Sequence, residues 1–449
     1  MPNRSTRRSL TQPLWRAFRV AFGAVLVGTV FFVGLTRTDV GRDQVRQQLE
    51  AQFNDRVQGT LSIDSLSGSL ITEIVADGVE LRAPSGTLVG TVESIRVTPQ
   101  WANLLTADLS IQSLSLVRPH LSLHRDSAGT WNAANAFRRV TSSSTGPSMD
   151  LTIAGIEVQQ GRVTTSRDGP APNLVQEDWL FDYTQTAVTR VSFTAIAQST
   201  GTDRFLDLNN ASFSVPGQDL RASFFEGQLQ QTADGWSMTE VDLSLDATRI
   251  RGSATVQTNK ADAPPPQVSL NLDRSRIDHD EVQRIFPRLP LADVITLEGT
   301  LEGTARRLTA DDVTVTHNTS IATLNGSVRR ASTGLQLDMR LATGRFTPRD
   351  IRDVWPDAPP LPTAREEAFT LTGSLEGTMA SPQSDGRSFD LASRLAMESP
   401  YGAVAGSLAV ARSADSFAYE ASLEADSLDL APFTGRPSLA SRLSGQVEG

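Results

Sequence analysis

Histidines, paired carboxylates and glycine-rich turns are the residue types from which a metal, acid–base or phosphate site would be built. This chain holds all three, but in spacings that do not assemble one. The histidines are His120, His124, His279 and His317. The near pair, in HLSLH, would share a face if it lay on a helix. In an alternating strand run the two share a side but stand about 13 Å apart, too far to ligate one zinc ion. No HExxH occurs. Asp311–Asp312 and Glu366–Glu367 are adjacent, and adjacent strand positions point to opposite faces, so both pairs predict solvated surface. The glycines never form G-x-G-x-x-G or a Walker loop, and there is no cysteine to supply a thiolate or disulfide. Trp131 and Asn132, in GTWN, predict a turn packed on a sheet end. With no nucleophile, base and orienter in reach of one another, the sequence predicts a non-enzymatic protein without cofactor or metal.

The elements that would have to position any site are instead a repeat. LEGTLEGT begins at Leu297, LTGSLEGT at Leu371 and LSGQVEG at Leu443, spaced by 74 and 72 residues. Ahead of the first two stand IDHDEVQRIFP (277–287) and FTPRDIRDVWP (346–356), which align without a gap. Each sets apolar residues at i, i+3 and i+4: Val282, Ile285 and Phe286 in one, Ile351, Val354 and Trp355 in the other. That spacing predicts a short amphipathic helix at each period boundary, closed by a proline. A period near 70 residues, of one helix and several strands, predicts a stacked array. The expected divisions are a basic tail (1–19), an anchor (20–36), an N-terminal domain with a leading helix (37–140), a linker (141–148), a first β-rich section (149–276), repeats at 277–345 and 346–427, and the start of a third at 428–449. Because the last copy is cut short, the chain is expected to be an N-terminal fragment of a longer protein.

The first nineteen residues contain Arg4, Arg7, Arg8, Arg16 and Arg19 and no acid. The run that follows is uncharged from Val20 to Leu35. Its apolar residues include Val20, Phe22, Val25, Leu26, Val27, Val30, Phe31, Phe32, Val33 and Leu35. As a helix this run rises roughly 24 Å, and its flanks extend it toward a ~30 Å hydrocarbon core. No small-residue cleavage site follows, so an uncleaved single-pass anchor is expected, and the arginines place its N-terminus in the cytoplasm. Residues 42–57 read as a helix with Val45, Leu49 and Phe53 on one stripe. Beyond residue 60 the pattern becomes short alternating runs between turns. A net charge of -10 disfavours nucleic acid as a partner.

The order of these pieces is similar to that of the AsmA-like superfamily. The resemblance is carried by the anchor and helix, by GTLSIDSLSGSL, and by VTPQWANLLTADLSIQSLSLVRPHLSLHRDSAGTWN. It extends through MDLTIAGIEVQQGRVTT (149–165), which resembles a strand pair of those proteins, and through the P-x-L-P and G-x-L-E-G-T repeats. The resemblance implies an inner-membrane protein whose bulk lies in the periplasm and which carries phospholipid as a bridge. In some members it implies help with outer-membrane protein assembly beside an Omp85-type barrel partner. Asn132 falls at a hallmark position of the family, and the family's conserved C-terminal domain has no counterpart here.

The alternating runs supply an apolar face. Leu243 and Leu245, Leu270 and Leu272, Val313 and Val315, and Leu335, Leu337 and Met339 are expected to line it. Glycines in RIRGSATV, ATLNGSVRR and AVAGSLAV predict bulges or close backbone approach. About ten helical residues per period are too few to roof the strands. The expected fold is therefore mainly β: a transmembrane helix, then an elongated, repetitive, curled antiparallel sheet, open as a trough and taco-like in section. Its apolar lining would meet lipid acyl chains. A sandwich array, in which a second sheet covers that face, and a scaffold for barrel assembly are the alternatives.

Overall fold

The computed structural model describes residues 39–69, 72–100, 109–138, 150–176, 180–201, 203–257, 267–287, 293–304, 306–331, 334–354, 367–380, 388–412, 417–429, 431 and 440–448. The expected anchor at 20–36, the linker at 141–148, the ADAPPP break at 261–266 and Trp355 lie outside them. No helix among the described residues is long and apolar enough to cross a membrane. The structure is mainly β, with long, mostly antiparallel strands and few helices. It divides into two compact units, Met1–Gly169 and Pro170–Gly449.

In the first unit α1 (Asp39–Arg56) precedes β1 (Thr60–Ser69), β2 (Glu73–Arg82) and β3 (Leu88–Pro99), an antiparallel meander. β4 (Leu109–Val117) and β5 (His120–Arg125) both pair antiparallel with β3. Both also pair parallel with β6 (Leu151–Arg167), so they act as one strand interrupted at Arg118–Pro119. Arg118 takes φ 48° at that break. The expected strand pair at 149–165 is thus one 17-residue strand, β6. Its ladder to β4 and β5 places it in the first unit rather than in the section after the linker.

Asn132 opens the short helix α2 (Asn132–Ala136) and is 6% exposed. Its Oδ1 accepts from the amides of His124 and Ala133, both at 2.9 Å. Its Nδ2 donates to the carbonyls of Leu88 at 3.0 Å and Ser122 at 2.8 Å. The residue is a stitch that satisfies backbone groups of β3, β5 and α2, which explains its burial without any chemistry. Ala83, Val89 and Ala136 form the small core beside it.

Among its described residues, the second unit begins with α3 (Asn173–Gln176) and runs through fifteen strands. They are β7 (Ala187–Thr200), β8 (Asp203–Val215), β9 (Leu220–Thr232), β10 (Gly235–Ser244), β11 (Arg249–Gln257), β12 (Gln267–Ile277), β13 (Ile295–Thr304), β14 (Arg307–His317), β15 (Ser320–Ala331), β16 (Gly334–Phe346), β17 (Phe369–Ala380), β18 (Phe389–Ser399), β19 (Gly402–Arg412), β20 (Phe417–Leu428) and β21 (Leu443–Glu448). Each pairs antiparallel with the next. The repeated phrases become β13, β17 and β21. A period is therefore four strands, with helix α4 (His279–Ile285) ahead of β13 and helix α5 (Pro348–Val354) ahead of β17.

Both helices start on the same device. Asp278 caps α4 by accepting from the Glu281 amide at 3.2 Å, and Thr347 caps α5 by accepting from the Asp350 amide at 3.2 Å. The acid three residues on then reaches back to a hairpin turn. Glu281 accepts from the amides of Ala247 and Thr248, at 2.8 and 2.7 Å. Asp350 accepts from Ser320 Oγ at 2.7 Å, Thr319 Oγ1 at 3.1 Å and Asn318 Nδ2 at 3.3 Å. Each helix is thereby pinned to the turn joining two earlier strands of its sheet.

Candidate functional site

Which residues share a face follows from register, because directly paired residues of neighbouring strands project to the same side. From β10 to β16 the pairs run Leu243↔Ile250, Gly252↔Leu272, Leu270↔Leu301, Leu297↔Val315, Val313↔Leu324 and Gly326↔Met339, and Val328↔Leu337 continues the row. Leu335 lies on the same side as Leu337, two residues along. Leu245, just past β10, joins the buried cluster that contains Leu243. All nine expected lining residues therefore fall on one face. The face continues through Leu375, Leu391, Leu395, Leu408 and Leu423 to Val447.

Strict alternation would not have kept them together. β10, β12 and β14 each carry one extra residue, a β-bulge, at 239–240, 273–274 and 311–312. In each bulge one residue adopts left-handed backbone: Glu240, Arg274 and Asp312, at φ 54°, 41° and 47°. The extra residue resets the parity of the strand, so Leu308 and Ala310 project with Val313 and Val315 although the spacing between the two pairs is odd. Asp311–Asp312, expected to lie on the surface, is exposed and also forms the bulge itself. Its geometry is held by Asn325, which accepts from the Asp312 amide at 2.8 Å and donates to its carboxylate at 3.0 Å.

Glycine stands opposite. An ideal Cβ on Gly299, at φ 130°, would lie 2.6 Å from Val313 Cα and 2.7 Å from the Asp312 carbonyl oxygen. Gly252 and Gly326, singled out by their sequence context, lie at the bulged registers and would place a Cβ 1.9 and 2.2 Å from facing carbonyl oxygens. Gly406, the third of that set, sits in an unbulged ladder, but its Cβ would stand 2.1 Å from the Ser422 carbonyl oxygen.

Part of the face is covered and part is open: Trp236, Val268 and Leu308, on the same side by register, are 42%, 42% and 47% exposed. Val215, Leu220, Ala222 and Leu245 are buried, with Ile285 of α4 packed on them. Farther along, Leu335 is 36% exposed, Leu395 44%, Tyr419 66% and Val447 70%. Within the second unit, β7 to β21 pair in sequence, and among its described residues no strand is left over for a second layer.

The boundary helices meet the expectation in part. Val282 is buried and Ile285 packs on the cluster, but Phe286 is 45% exposed. Phe286 follows the last helical residue with non-helical backbone, φ -124° and ψ 79°, which swings it off the helical stripe. Ile351 lines a pocket of about 200 Å³ with Ile295, Val315, Ala322 and Phe346, and His317, Ser320 and Asp350 at its polar side. Val354 ends α5.

Three of the four histidines act as hydrogen-bonding posts. His120 meets Thr164 at 3.1 Å, and His124 meets Ser166 and Asp168, each at 3.0 Å. His317 Nδ1 donates to the Val294 carbonyl at 2.6 Å, which leaves Nε2 to accept from Asn318 at 3.0 Å. Asp293, His317 and Asp353 bring ligand-type atoms within 4.8 Å of one another, a grouping hidden by their separation in sequence. No protein-family model, no curated protein and no solved structure matches this chain.

Proposed function

We propose that this chain is a bridge-like lipid carrier, anchored in the inner membrane by residues 20–36. It would move phospholipid through the periplasm toward the outer membrane along the apolar face of the second unit. In this reading the sheet is curled into an open trough, and acyl chains lie against Leu270, Leu301, Val315, Leu337 and their neighbours while headgroups stay in water. The protein acts without catalysis or cofactor. It is a member of the AsmA-like superfamily, on the branch of the translocation and assembly module protein TamB, and its partner at the far membrane is an Omp85-type barrel.

One observation carries the reading: a single apolar face, kept in register over many strands by bulges, that no second sheet of the same unit covers among the described residues. Contiguous exposed apolar surface on this scale marks an interaction site. A sandwich array would bury the same residues against a partner layer, whereas Val268, Leu308, Leu395 and Val447 on this face are 42%, 47%, 44% and 70% exposed. An acyl chain needs no hydrogen bonds, so a lining that is mainly aliphatic suits it.

The test is extraction of purified segment 40–449 followed by mass spectrometry for acyl chains. Copurifying phospholipid at a reproducible stoichiometry is expected. A folded segment that carries none and acquires none from vesicles would remove the carrier reading. Crosslinking to an outer-membrane barrel without bound lipid would favour the assembly scaffold.

A further inference from the structure

The first strand of the first unit has an outer edge, and a helix sits on it in an uncommon way. Strand β1 pairs with β2 on one side. On the other side α1 offers Arg46, Glu50 and Asn54, spaced i, i+4 and i+8. Asn54 Oδ1 accepts from the Leu61 amide at 2.7 Å, and its Nδ2 donates to the Leu61 carbonyl at 3.3 Å. Glu50 Oε1 accepts from the Ile63 amide at 2.7 Å, and Arg46 Nη1 donates to the Ile63 carbonyl at 3.2 Å. Arg46 and Glu50 are also paired with each other at 3.2 Å. Both outward main-chain groups of two alternate residues are thus met by side chains, as a neighbouring strand would meet them.

The match is metric. Four residues of helix rise about 6 Å, and two residues of strand advance about 6.6 Å, so i, i+4 on α1 keeps step with i, i+2 on β1. The two run in opposite directions, Asn54 to Leu61 and Glu50 to Ile63. Of the apolar stripe expected on this helix, Val45 and Phe53 are half-buried and Leu49 is 45% exposed, so the stripe seats it only in part.

We propose that α1 is an edge guard, a surrogate strand whose side chains occupy the outer edge of β1. It keeps that edge from pairing with the β1 edge of a second copy of this chain. The occupant excluded is a second copy because two identical edges are self-complementary: antiparallel pairing about a two-fold axis gives each the partner the other needs. The inference stands apart from lipid carriage, since it concerns the first unit alone.

The test uses the full chain in detergent, with Arg46→Ala, Glu50→Ala and Asn54→Ala combined. Exchange of the Leu61 and Ile63 amides should accelerate roughly 10- to 100-fold in dilute protein, as lost hydrogen bonds to charged and amide groups allow. Self-association, followed by sedimentation across a concentration series, should tighten at least about tenfold, the factor that one such bond corresponds to. Adding Leu61→Pro removes an outward N–H without touching the ladder to β2, and should return the protein to its original mass. A triple substitution on the exposed side of α1, Gln44→Ala, Gln47→Ala and Gln48→Ala, should change nothing. Unchanged mass and exchange in the Arg46/Glu50/Asn54 variant would overturn the guard. So would its loss of folded circular dichroism, which would make these residues core supports, or an association that survives Leu61→Pro, which would place it on another surface.

Discussion

Replacing Leu337 by arginine separates an open apolar face from a covered one. Leu337 is half-buried in β16, paired with Val328 on one side and Gly377 on the other. Its neighbour along the face, Leu335, is 36% exposed. Full burial of a leucine is worth about 1.5–3 kcal/mol, so a half-buried one loses roughly 1–1.5 kcal/mol on replacement. The guanidinium reaches water past Gly377, which has no side chain to block it, and so adds little further cost. In a closed sandwich the same change would bury an uncompensated charge and cost about 3–5 kcal/mol or more. For a unit of this size the open face predicts a midpoint lowered by only about 2–5 °C, with near-native circular dichroism. Lipid copurification, by contrast, should fall sharply, because a cation interrupts the apolar path. Asp338→Arg, on the opposite face, should alter neither readout. An unfolded Leu337→Arg protein would refute the open face. A folded one that holds lipid as before would show that β16 is not on the route.

Glu281→Ala leaves the amides of Ala247 and Thr248 without acceptors and should cost roughly 2–5 kcal/mol. The loss should show as faster exchange at Thr248 and across 277–287 while β17–β21 are unaffected. Asp350 titrates below the ordinary carboxylate value: burial pushes it up, but hydrogen bonds from Ser320, Thr347, Asn318 and Thr319 outweigh that. A lowered folded value stabilises the protein above the unfolded carboxyl value, about 3.9, and that contribution is lost as pH falls below it. The stability gap between the native protein and Asp350→Asn should therefore be full at pH 7 and close below about pH 4, as read by denaturation at each pH. Gly299→Val forces a Cβ against the Asp312–Val313 backbone at a left-handed φ and should cost roughly 2–5 kcal/mol in denaturant titration. A neutral Gly299→Val would mean that the bulge yields easily.

Much of the second unit is legible in the residues. The two helices are announced by D-x-x-E and T-x-x-D caps ahead of apolar residues at i, i+3 and i+4, and the repeated phrases by their strand alternation. The apolar face is legible too, within each half-strand. What alternation misses is the point where it slips by one: Trp236 and Met238 against Val241 and Leu243, Leu270 and Leu272 against Ser275, Leu308 and Ala310 against Val313 and Val315. Each slip falls on a polar pair, Thr239–Glu240, Asp273–Arg274 or Asp311–Asp312, and a phase slip at such a pair is the signal that reveals the bulge. The role of Asn132 is not legible, because its partners are backbone groups up to 44 residues away. Nor is the seating of α1, where polar side chains of the helix meet the donors and acceptors of a strand edge.

The bulges also bear on why a carrier would be built from such long strands. An amphipathic strand of ten or more residues twists, so its apolar side turns progressively away from a straight path. A bulge adds local twist and bends the strand at one level. In β10, β12 and β14 the bulges sit at matching registers, joined by Gly252 and Gly299 on the strands between and met by Gly326 on β15. Bends aligned across neighbouring strands add in one direction, whereas scattered ones would cancel. A sheet with such a crease folds along it, and the reset of parity keeps the apolar side facing one way on both sides of the crease. The same residues that break the alternation are thus the ones the proposed trough requires. Moving one bulge while leaving its neighbours in place would lose both the bend and the continuity of the face at that strand.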